Sequence, residues 1–216
     1  MQYDKRTALS NVSLTINSNE FIAITGANGG GKSTLLKLIL GLIKPTSGEI
    51  KYYDNGAETS KLNVGYLAQK SSIDNNFPIT VSELIESGII GNSIFSKRVK
   101  NKQQRIDETI ALMKLEDYRN APIGTLSGGV LQRTLLGRAL ISKPDIIILD
   151  EPLSYLDKGF EQELYNILNE LYQRATILVV SHDVSIISKI ANRHLIVNGG
   201  VIDCDAIHHN IRYNCE

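Results

Sequence analysis

The sequence predicts an α/β fold around a mainly parallel sheet, and three observations carry that expectation. Short apolar, β-branched runs recur at Phe21–Thr25, at 146–149 and at Thr176–Val180. None of them alternates with polar residues, as fits strands buried on both faces. Helical patterns lie between them: Leu35, Leu38, Ile39 and Leu42 fall three or four apart, as do Ile106, Ile110 and Met113, and Leu164, Ile167, Leu168 and Leu171. Strands that alternate with helices imply helices packed on a parallel sheet.

Taken in order, the first strand leads into a glycine-rich turn and the helix that starts near Gly31. The stretch that follows 70 changes character. It holds Asn75-Asn76-Phe77-Pro78, a helical pattern over 81–87, a polar loop and a second helix near 103–115, with no convincing strand. One domain over 1–216 is therefore expected, its core over about 1–70 and 136–216 and a helical subdomain inserted over about 71–135. The three strand candidates run directly into Gly26, Asp150-Glu151 and Ser181-His182. Ligands of open parallel sheets bind beyond the carboxyl ends of the strands, so these segments mark the expected site.

Composition excludes several classes. The chain has 216 residues, 42% of them apolar, enough for an ordinary core. Lys plus Arg equals Asp plus Glu at 23 each, and no basic stripe is present, which argues against a nucleic-acid partner. The longest strongly apolar stretch, 35–43, is far too short to cross a bilayer, and no apolar segment follows the amino terminus as a signal peptide requires. The two cysteines, Cys204 and Cys215, form no disulfide framework, so a reducing cytosol is expected.

Gly26-Ala27-Asn28-Gly29-Gly30-Gly31-Lys32-Ser33 fits the phosphate-loop pattern G-x-x-x-x-G-K-[ST] without mismatch. Glycines let successive backbone N–H groups turn toward phosphate oxygens, and the following helix offers its positive end to the same anion. Lys32 is expected to reach the β- and γ-phosphates, Ser33 to hold Mg²⁺, and Thr34 to add a phosphate contact. Farther on, Asp150 and Glu151 end an apolar strand. Such a pair is often a solvated turn, but beside a phosphate loop it reads as a Mg²⁺ ligand, Asp150, and a residue orienting the attacking water, Glu151.

Leu126-Ser127-Gly128-Gly129, followed by Val130-Leu131-Gln132-Arg133, resembles the signature of ABC-transporter ATPases. Alone, Ser-Gly-Gly reads equally well as a plain helix N-cap. The resemblance continues in the family's order over essentially the whole chain. Gln69 falls at the Q-loop glutamine, a Mg²⁺ or water contact; Ser154-Tyr155-Leu156-Asp157 falls at the D-loop; His182 falls at the switch histidine that contacts the γ-phosphate. Tyr3 lies where an aromatic residue stacks on adenine, almost at the start, where such domains usually have a preceding strand.

The resemblance implies the ABC type of P-loop NTPase fold, with an antiparallel β part beside the parallel core. It also implies ATP as ligand, Mg²⁺ as cofactor and a head-to-tail dimer in which Ser127, Gly128 and Gly129 of one subunit cover the ATP of the other. Hydrolysis is then passed to transmembrane permease subunits, with the chain cytoplasmic and peripheral on the inner face of the membrane. One departure stands out. Val130 replaces the family's glutamine, removing a polar side chain near the second anion site, and activity weakened at most is expected.

The stretch Ser72-Ile73-Asp74-Asn75-Asn76-Phe77-Pro78-Ile79-Thr80-Val81 and the tail from Asn192 to Cys215 resemble ATPases of zinc and manganese importers. That branch implies an extracytoplasmic metal-binding protein in the full system. Transport of another solute is the alternative within the family. ABC ATPases of DNA repair or translation form a second class, disfavoured because no sustained heptads separate Lys32 from Leu126 and only one ATPase unit is present. A nucleotide-binding subunit without hydrolysis is disfavoured by Glu151 and His182. Cys204, His208, His209 and Cys215 could form a zinc site, although their spacing fits no established pattern and a polar tail is the plain alternative.

Overall fold

A computed structural model describes residues 1–3, 6–60, 62–69, 77–90, 101–181, 187 and 190–205. Its centre is a six-stranded sheet in the order β10-β9-β3-β8-β7-β6. The strands are β3 (Phe21–Thr25), β6 (Val64–Leu67), β7 (Ile146–Asp150), β8 (Thr176–Val180), β9 (Arg193–Val197) and β10 (Val201–Asp205). All neighbours are parallel except β9 and β10, an antiparallel hairpin. The three runs singled out in the sequence are thus adjacent, with β8 between β3 and β7. Two small hairpins stand apart, β1 (Gln2–Tyr3) with β2 (Arg6–Thr7) and β4 (Tyr52–Asp54) with β5 (Ala57–Thr59).

Side-chain alternation along the strands feeds two cores. Phe21, Ala23, Ile147, Leu149, Ile177 and Val179 join one, which α2 (Val81–Ile90), α3 (Lys102–Leu112), α4 (Gly128–Leu140) and α5 (Lys158–Tyr172) help to build. Ile22, Ile24, Ile148, Leu178 and Val180 join the other with Leu35, Leu36 and Leu38 of α1 (Lys32–Ile39). With both faces covered, neither polar alternation nor a solvated face is needed, which explains the continuous apolar runs.

Local chemistry sets the helix ends. Thr80 and Glu83 form a capping box at the start of α2: the Glu83 N–H donates to Thr80 Oγ1 at 3.3 Å and the Thr80 N–H donates to Glu83 Oε2 at 2.8 Å. The Thr80-Val81 part of the string that resembles metal importers is therefore a helix start, with Val81 fully buried. At α1 the apolar periodicity overextends the helix. It ends at Ile39, Gly41 takes φ 67°, and the Leu42 N–H closes back onto the Lys37 carbonyl at 2.9 Å. Leu42 is 63% exposed rather than on the buried stripe.

Among the described residues, no helix is long and apolar enough to cross a membrane.

Candidate nucleotide site

The phosphate loop hangs between β3 and α1 and is braced from behind by the β9–β10 hairpin. The Gly199 N–H donates to the Gly30 carbonyl at 2.8 Å, and the Ser10 N–H to the Gly199 carbonyl at 2.9 Å. Gly26 takes φ 140°, and a Cβ there would stand 2.0 Å from the Val197 carbonyl oxygen. No larger residue fits. α1 starts on Gly31 at φ 107°, with no side-chain cap and no acidic residue in its first turn. An anion is thus the natural complement of its opening amides and dipole.

Lys32 is buried, and its ammonium donates to the carbonyls of Gly26 at 2.8 Å and Ala27 at 3.1 Å. These bonds hold the charge across the mouth of the loop and use two of its three protons, leaving the third for a phosphate oxygen.

A cavity of about 300 Å³ opens over the loop, lined by Ala8, Asn28, Gly29, Gly31, Lys32, Ser33, Thr34, Gln69, Asp150 and Glu151. Residues from four segments of the chain meet in one place, and three of those segments follow β3, β6 and β7, parallel strands that end on the same side of the sheet. Asp150 is buried at the end of β7, where the strand pairs in register with Val180. Glu151 takes φ 54°, unusual for a residue with a side chain. Its N–H donates to the Val180 carbonyl at 2.9 Å, and its carbonyl accepts from the Ser154 N–H at 3.3 Å. On β6, burial first and the Asp150 charge second push the Tyr66 phenol above its ordinary pKa.

The signature segment does not line this cavity. Ser127 is the N-cap of α4, and its Oγ accepts from the Val130 N–H at 3.4 Å, so the plain helix-cap reading is physically realised. Gly128 and Gly129 lie under Tyr155: a Cβ on Gly129 would stand 2.9 Å from the Tyr155 carbonyl oxygen. Tyr155 itself is 65% exposed at φ 71°. Asp157 caps α5, accepting from the Phe160 N–H at 3.0 Å, and that bond holds its carboxyl below the usual range.

Val130, third residue of α4, has its side chain buried in the larger core while its N–H bonds to the N-cap. Of the remaining sequence candidates, Gly30 belongs to the loop behind the cavity lining, and Tyr3 contributes its backbone to β1 while its side chain lies outside the description. His182 lies outside the described residues. So do His208, His209 and Cys215, while Cys204 stands on β10 opposite His194.

Two participants escaped the sequence reading, and a third, Gln132, entered it only as part of the signature. Ala8 lines the cavity and carries no chemical signal. His194 on β9 lies 3.2 Å through Nε2 from Thr25 Oγ1, directly beneath the loop, and burial lowers its pKa. Gln132 is buried on α4 and donates to the backbone after Asp150. Its place in the Gln132-Arg133 pair after the signature was the available signal.

Known proteins resemble this chain throughout. The sequence profile of the ABC transporter family matches residues 9–154. A zinc import ATP-binding protein, ZnuC, of Hydrogenovibrio crunogenus is 39% identical over 91% of this chain and 75% of its own length. The zinc uptake system ATP-binding protein ZurA of Listeria monocytogenes is 35% identical over 98% of this chain and 84% of its own. Among solved structures, a dimeric post-hydrolysis state of the ATP-binding cassette MJ0796 bound to ADP and Pi superposes with a TM-score of 0.77, at 29% identity, covering 92% of this chain and 90% of that one.

Proposed function

This chain belongs to the ABC transporter family and is an ATPase of it, and from that premise we propose that it energises the import of a divalent metal ion, zinc or manganese. The observation that carries the metal reading is the 39% identity to a zinc import ATP-binding protein over 91% of the chain. The site chemistry supports the ATPase half independently.

Gly26, Asn28, Gly29, Gly30 and Gly31 present the loop to the phosphates of ATP, with Lys32 and Thr34 at the β- and γ-positions and Tyr3 against adenine. Ser33, Gln69 and Asp150 line one cavity. They supply a hydroxyl, an amide and a carboxylate, the oxygen donors a hard cation such as Mg²⁺ takes. When bound there, Mg²⁺ would neutralise charge developing on the phosphate oxygens. Glu151 orients the attacking water and His182 contacts the γ-phosphate. A loose phosphoryl transition state asks for positioning more than for basicity, which suits a carboxylate held by its backbone.

The signature's separation from the cavity supports a dimer in which Ser127, Gly128 and Gly129 act on the nucleotide of a second subunit, with Asp157 anchoring the D-loop beside them. A dimeric cassette of the same fold supports that arrangement. Transmembrane permease subunits, an extracytoplasmic metal-binding protein and a peripheral position on the inner membrane face complete the proposed system. The helical segment over about 71–135 is proposed as the inserted subdomain, and the core as about 1–70 and 136–216.

Cellular zinc and manganese under metal restriction test the proposal, comparing wild type with Lys32→Ala. A selective fall in one metal is expected. Unchanged levels of both would overturn the metal reading and leave the ATPase standing.

A further inference from the structure

We propose that Gln132 is a positioning residue that ties the signature helix to the loop carrying Glu151, and so couples one ATP site to the other. The coupling half rests on the dimer proposed above. Gln132 stands one turn into α4, three residues after Gly129, and is only 3% exposed. Its amide nitrogen donates to the Pro152 carbonyl at 3.1 Å and lies 3.4 Å from the Glu151 carbonyl. Two protons on one nitrogen thus meet two consecutive carbonyls of the segment that follows β7.

That segment needs holding. Glu151 occupies the left-handed backbone region at φ 54°, which persists in a residue with a side chain only when its surroundings enforce it. Val180 fixes its N–H from β8, Ser154 approaches its carbonyl from the following turn, and Gln132 approaches it from α4. Of these three restraints, only Gln132 comes from an element whose amino end carries the signature. A buried donor without its carbonyls, or buried carbonyls without their donor, is costly, so the bond is maintained as α4 moves.

The consequence is mechanical. When Ser127, Gly128 and Gly129 engage the partner subunit's nucleotide, the displacement of α4 is passed within one helical turn to the backbone of Glu151. Each subunit's water-orienting residue then reports the occupancy of the opposite site.

The test is the ATP dependence of hydrolysis by the full chain assembled with its transport partners, together with ATP affinity, for wild type, Gln132→Leu and Gln132→Asn. Leucine removes the donor at similar volume. Asparagine keeps the amide but falls one methylene short of the carbonyls, and reads the same if the leucine variant does not fold. The expected result is a kcat lowered by roughly tenfold, ATP affinity unchanged, and a Hill coefficient reduced toward one. Wild-type cooperativity retained in folded variants overturns the inference, and so does a parallel loss of ATP affinity, which marks a merely structural role. A Hill coefficient of one in the wild type overturns the coupling, whereas a wild type in which ATP draws no second subunit onto the first, read by chemical cross-linking of the assembly, overturns the dimer reading.

Discussion

Two helices, α1 and α4, face an anion in the proposed assembly, and they are built oppositely. α1 starts on Gly31 with no side-chain cap, its amides turned into a cavity lined by Lys32, Ser33, Asp150 and Glu151. α4 starts on Ser127, whose own hydroxyl accepts from the Val130 N–H, and it stands outside that cavity. The first is a site complete in its charges within one subunit. The second is a helix end with one amide capped by its own chain and two glycines packed under Tyr155. In the proposed dimer it meets the nucleotide of the second subunit.

The largest expected effect breaks the first half of the comparison. Lys32→Ala removes the only cation in the cavity lining among the described residues and should lower turnover by roughly 10²–10³-fold, the scale seen when one preorganised charge or donor leaves a transition state. Its ATP affinity should fall as well, measurable by titration of a fluorescent nucleotide.

Next comes Ser127→Ala. It should leave ATP affinity of the single subunit unchanged while lowering turnover, and loss of the cap should destabilise the chain by about 0.5–2 kcal/mol. Denaturant unfolding beside the nucleotide titration separates the two effects.

Val130→Gln sharpens the second half. Because position 130 faces the core, restoring the family's glutamine should change turnover by less than about tenfold, an activation difference of about 1.4 kcal/mol. A hundredfold rise in ATPase rate would return that residue to the anion site.

The smallest effect lies beneath the phosphate loop. Burial lowers the folded pKa of His194, so below the unfolded value near 6.5 the unfolded chain binds the proton more readily. Stability should therefore be complete above about pH 6.5 and fall as pH drops toward the folded pKa. His194→Asn should flatten that limb in melting temperatures compared at neutral and mildly acidic pH.

Much of this was legible from sequence because the determinants are local. Three runs buried on both faces can carry no polar alternation, so β3, β7 and β8 stood out, and a loop requiring Gly26 against Val197 leaves a fixed glycine pattern. The remainder depends on distance. Leu42 continues an apolar period, but Gly41 turns the chain first. Val130 sits in a motif read for its glycines and serine, and only helix phase shows that its side chain turns into the core. His194 meets Thr25 across 169 positions, and Gln132 reaches Pro152 across 20; neither pairing leaves a mark in the local pattern. The capping box at Thr80 and Glu83 shows the reverse case, a string read for its resemblance that also has a plain local duty at the start of α2.

The central claim is that two helix starts from different subunits act on one nucleotide, and mixing two inactive variants tests it most directly. Lys32→Ala and Ser127→Ala subunits, co-assembled with distinct tags and purified as the mixed pair, hold one site with both lesions and one with neither. The account predicts ATPase activity in the mixed pair well above that of either variant alone. Activity no greater than the two variants measured separately would contradict it, placing Lys32 and Ser127 at work in the same subunit.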